Sequence, residues 1–62
     1  MKNISPLLED TMRVLYTLKK EGYMDIQVME YILGNKYNVN KILYCDDSMT
    51  CYQDKKETRI DI

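Results

Sequence analysis

Sixty-two residues, 45% hydrophobic and 31% charged, make one small domain (1–62) near the size at which a single core supports folding, and too apolar to stay disordered. A net charge of -1 and a pI near 5.2 argue against a protein that holds duplex DNA chiefly by neutralising its phosphates. Histidine is absent, which removes the commonest general base and metal ligand, and no apolar run is long enough to cross a membrane.

In chain order, Ser5-Pro6 opens a first helix predicted over about 6–21. Ser5 can accept a backbone N–H as N-cap, and Pro6 suits the first turn, where its missing donor costs nothing. Leu7, Leu8, Met12, Val14, Leu15 and Leu18 give this helix its apolar face, and Gly22 follows as the stop. Tyr23-Met24 reads as a short bridge or strand stub. Asp25 then caps a second helix over about 26–33, whose face is Ile26, Val28, Met29, Ile32 and Leu33, with Gly34 ending it. Asn35 is placed to cap a third helix over about 36–45. Its apolar stripe is Val39, Ile42 and Leu43, at i, i+3 and i+4. A competing parse makes Lys41–Cys45 a strand paired with Met49–Gln53, since Tyr and Ile suit strands; the tandem pair Ile42-Leu43 favours the helix.

From Met49 the period becomes two. Met49–Gln53 and Thr58–Ile62 alternate on either side of the polar loop Asp54–Glu57, which predicts a β-hairpin with Ile60 and Ile62 turned toward the helices. Three helices followed by a two-stranded wing make an α+β winged helix-turn-helix. With no signal-peptide pattern ahead of them, Cys45 and Cys51 are expected as free thiols of an intracellular protein.

Chemistry for catalysis is sparse. The Cys45-x5-Cys51 spacing has no zinc signature, Asp46-Asp47 fits a solvated turn, and neither glycine belongs to a phosphate-binding loop. The expectation is a binding protein, with no enzyme activity, no cofactor, no metal and no small-molecule substrate. The richest stretch is the third helix, where Lys36, Asn40 and Tyr44 recur every fourth residue beside the apolar stripe. A cation, an amide and a phenol in that row suit an anionic, polar partner. Lys41 adds charge beside them, and Lys55, Lys56 and Arg59 place cations on the expected wing.

That Lys-x3-Asn-x3-Tyr row, with Val39-Asn40-Lys41-Ile42-Leu43-Tyr44 around it, resembles the third helix of the Zα domain, a winged-helix family binding left-handed Z-form DNA and RNA. The resemblance is to viral members of the family, including the amino-terminal domain of poxvirus double-stranded-RNA-binding inhibitors of interferon responses. It implies that Lys36, Asn40 and Tyr44 contact the zig-zag phosphate backbone, with Tyr44 also meeting a base. It further implies a viral antagonist of innate sensing, in the host cytoplasm or nucleus. The chain departs from the family in its wing: the Pro-Pro pair and the Trp are missing, as Pro6 is the only proline and there is no tryptophan. Two alternatives share the predicted fold. One is a small viral or phage module that inhibits or regulates a host protein, which the acidic pI and six tyrosines favour. The other is a B-DNA-binding regulator with its third helix in the major groove, which the neutral balance of residues 35–62 disfavours.

Overall fold

Helix α1 (Pro6–Lys20) follows from apolar residues at helical spacing: Leu8, Met12, Leu15 and Tyr16 are all buried. The computed structural model describes residues 6–62, so the expected cap at Ser5 lies outside them. The buried face is rotated from the one predicted, because Leu7 and Val14 are 56% and 59% exposed and Tyr16 takes their place. Gly22, at φ +89, ends the element. Its N–H donates to the Lys19 carbonyl and that of Tyr23 to the Leu18 carbonyl, closing a Schellman turn at the expected stop. Tyr23-Met24 forms no strand; it carries the chain to Asp25, whose carboxylate accepts the Val28 N–H at 3.1 Å and caps α2 (Ile26–Tyr37).

The third helix expected over 36–45 is absent, and with it the winged helix-turn-helix. Helix α2 runs through Gly34 and absorbs Asn35, Lys36 and Tyr37; the Asn35 amide donates back to the Tyr31 carbonyl instead of capping a new helix. The stop is Asn38, at φ 58, a left-handed conformation that asparagine tolerates better than most residues. Its N–H donates to Gly34 O and that of Val39 to Leu33 O, satisfying the last carbonyls of α2. The chain then leaves as strand. Asn40 N–H donates to Tyr52 O at 2.7 Å, and β1 (Lys41–Tyr44) pairs antiparallel with β2 (Ser48–Gln53). The spacing of Val39, Ile42 and Leu43 is compatible with both structures, and pairing with β2 decides between them. In β1, Ile42 and Tyr44 face inward while Lys41 and Leu43 face out, and Leu43 is 47% exposed.

The predicted hairpin is present, though longer and more tightly turned. Strand β3 (Lys56–Asp61) pairs with β2 across the two-residue turn Asp54-Lys55, in the register Gln53↔Lys56 to Ser48↔Asp61. Ile60 faces the helices at 1% exposure, whereas Ile62 lies beyond β3 and is 62% exposed, contrary to expectation. The described residues thus form two helices on one face of a three-stranded meander, order β1-β2-β3. Met49, Cys51 and Ile60 from the sheet meet Met12, Tyr16, Met29 and Leu33 from the helices. On the outer face, Thr50 is only 5% exposed, with Leu43 and Arg59 standing in register on either side.

Gly34 now stands in a helix interior without the positive φ that would require a glycine. A Cβ there would meet Val39 O at 3.6 Å, an ordinary contact. Gly34→Ala is therefore expected to raise stability by about 0.5–1 kcal/mol, read as a higher urea midpoint at unchanged slope.

Both cysteines are free thiols, Cys45 exposed and Cys51 buried. Burial pushes the Cys51 thiol up to about 11 from an ordinary 9.0. Between those values the unfolded chain gives up this proton while the folded chain keeps it. Cys51 therefore makes stability fall as pH rises from 9 toward 11, and contributes no pH dependence below that window. Under native conditions near neutral pH, alkylation is expected to label Cys45 alone. Rapid labelling of Cys51 there would contradict its place in the core.

Candidate nucleic-acid interface

The residues expected on one helical face are divided among three elements. Lys36 is exposed in the last turn of α2, Asn40 is exposed in the link to β1, and Tyr44 sits on the inner side of β1. Tyr44 serves the core edge. Its ring lies 4.9 Å from that of Tyr16, tilted by 31°, and Lys19 Nζ stands 5.0 Å from its centroid. Tyr16 in turn donates its hydroxyl to the Cys45 carbonyl at 3.1 Å and to that of Asp46, pinning the β1–β2 loop. Burial first, then the neighbouring Tyr44, raises the Tyr16 phenol above its ordinary range, so it stays a donor. Arg59 lies on the outer face of β3, where its Nε donates to Asp61 Oδ1 at 3.0 Å. That hydrogen bond and the carboxylate's charge raise the guanidinium further above its already high value.

The fold nevertheless gathers the other cations. The end of α2, the link 38–40, the start of β1 and the β2–β3 turn all meet at one end of the sheet, since Lys41 registers with Tyr52 and Gln53 with Lys56. An open cleft of about 570 Å3 lies there. Tyr37, Asn38 and Asn40 line one wall; Gln53, Asp54, Lys55 and Lys56 line the other. Three hydrogen bonds brace it. Gln53 Nε2 donates to the Tyr37 carbonyl at 2.7 Å, Asn40 N–H holds Tyr52 O, and the Tyr37 and Thr11 hydroxyls lie 2.8 Å apart, tying the wall to α1. Just outside the cleft, Lys41 Nζ stands 5.7 Å from the Tyr52 ring centroid.

Charge is therefore unevenly distributed. This end carries Lys36, Lys41, Lys55 and Lys56 against Asp54 and Glu57, a surplus of two cations. The rest of the chain holds five cations against eight carboxylates, among them Asp46, Asp47 and Asp61 at the opposite end of the sheet. A lysine pair on a turn, further lysines on both flanks and amide donors between them can hold an extended anion by several point contacts. Among the described residues, no three His, Cys, Asp or Glu side chains are grouped to hold a metal ion. No described helix is long and apolar enough to cross a membrane.

Of the residues lining the cleft, Asn40, Lys55 and Lys56 are expected from the sequence, whereas Tyr37, Asn38 and Gln53 are not. The alternation up to Gln53 and the polar pair Asp54-Lys55 were the available signal for Gln53. Nothing local reveals that Tyr37 and Asn38 face it. Compared with known proteins, the chain matches no family model, no curated protein and no solved structure.

Proposed function

We propose that the chain is a nucleic-acid-binding module that holds a phosphate backbone at its lysine-rich end. The observation supporting this is the cleft lined by Asn38, Asn40, Gln53, Lys55 and Lys56, with Lys36 in the adjoining last turn of α2 and Lys41 at the start of β1, on a chain whose net charge is -1. Clustering of cations against an acidic background is what local phosphate contact requires, whatever the overall charge. The Z-form preference implied by the Zα resemblance has no third helix to act through, because Lys36, Asn40 and Tyr44 share no face. Alternating CG duplexes accordingly enter the test as one ligand among several.

The experiment is fluorescence anisotropy of labelled oligonucleotides titrated with the protein across a salt series. Binding should weaken steeply with salt, with log K falling against log salt at a slope of about -3 for four lysine contacts. Salt-independent binding, or none at low salt, contradicts the reading. A protein partner is the second reading, favoured by Tyr23 ahead of α2 and Tyr31 on it, which are 76% and 74% exposed, with Val28 of α2 at 42%. In that case capture of a partner should survive nuclease treatment and depend on Tyr31 in preference to the lysines.

A further inference from the structure

The geometry points to a single-stranded ligand, with one base stacked on Tyr52. This rests on the phosphate-binding reading above and specifies its substrate. Tyr52 and Gln53 are consecutive in β2, so the strand's alternation sends Gln53 to the cleft and Tyr52 to the outer face one residue away. The Tyr52 ring is half-buried, fixed in the central strand between Lys41 on β1 and Glu57 on β3. The sheet holds its backbone on both sides, and the partly exposed ring stands where a base that displaces Lys41 could stack on it. Lys41 already lies near that ring, and Lys55 and Lys56 stand at the same end of the hairpin.

A chain whose phosphates follow Lys55 and Lys56 can lay the adjoining base over the strand end onto Tyr52. Lys41 would then move from the ring to the next phosphate. Glu57, on the far side of Tyr52, repels phosphate and confines the backbone to the Lys41 side. A base inside a duplex cannot use this arrangement, because it is already stacked between its neighbours and turned away from the phosphates. Stacking on an aromatic ring is also tolerant of sequence, so preference should follow strandedness more than base identity.

The test compares three probes of equal length: an oligothymidylate, the corresponding abasic sugar–phosphate chain and a blunt duplex. The wild-type chain should favour the oligothymidylate over the abasic chain by roughly 5- to 150-fold, the range expected for one stacked base, and over the duplex as well. Tyr52→Ala should erase the preference over the abasic chain while leaving abasic affinity unchanged, and Tyr52→Phe should keep it. Tyr52→Leu retains apolar packing without the ring and serves if the alanine variant fails to fold. Equal affinity for thymidylate and abasic chains, tighter binding of the duplex, or indifference to Tyr52→Ala and Tyr52→Leu overturns the stacking assignment and leaves phosphate binding standing. Failure to bind any of the three probes overturns both.

Discussion

Leu33→Ala should lower the unfolding free energy by about 2–5 kcal/mol, the range for truncating a fully buried leucine. Leu33 is 0% exposed and lies where α2 meets the core formed with Met12, Tyr16 and the sheet. The truncation costs both the transfer of the lost methyl groups and the cavity they leave. A chain of 62 residues has a stability of roughly 3–9 kcal/mol to lose. The variant is therefore expected to be largely unfolded or to melt well below the wild type in urea monitored by circular dichroism. Leu33→Met, which nearly conserves volume, should cost under about 1.5 kcal/mol. A Leu33→Ala cost no greater than that of Leu33→Met would contradict the packing of α2 through Leu33.

Lys55→Glu/Lys56→Glu carries the second large effect, and it acts on binding alone. Both side chains are exposed at the hairpin turn, so reversing them should leave the fold intact. Two of four phosphate contacts disappear and two repulsive charges replace them. Oligonucleotide affinity at low salt should fall at least about tenfold, and the salt slope should shrink from about -3 to about -1.5. Arg13→Glu/Lys20→Glu makes the same change in net charge on α1, away from the cleft. That control separates a local site from general electrostatic attraction: it should retain the full salt slope. Equal losses in the two double variants would count against a site at the lysine-rich end.

Most of what could be read from the sequence was local chemistry. The Asp25 cap, the Gly22 stop and the hairpin each rest on a few neighbouring residues, and each is present. The failure at residues 36–45 has a definite cause. Gly34 looks like a helix stop, but a glycine in a helix costs only about 1 kcal/mol, and α2 continues to Tyr37, which packs against the core with its hydroxyl held by Thr11 and the Leu7 carbonyl. The true stop is Asn38, whose left-handed conformation no flanking pattern announces. Four residues of β1 are too few to display alternation, and what fixes them is β2, several residues further along the chain. The candidate site follows the same division. Its lysines were individually visible, yet their meeting at one end depends on the pairings of Lys41 with Tyr52 and Gln53 with Lys56. Tyr44, singled out for a contact role, is held against Tyr16 because the strand turns it inward.

The most direct measurement of the central claim is a residue-resolved NMR titration of the labelled chain with a short single-stranded oligonucleotide. Amide shifts should concentrate at residues 36–41 and 52–57, the segments that form the lysine-rich end, and should reverse on raising the salt. Shifts centred on Tyr23, Val28 and Tyr31, or no shifts at low salt, would contradict it.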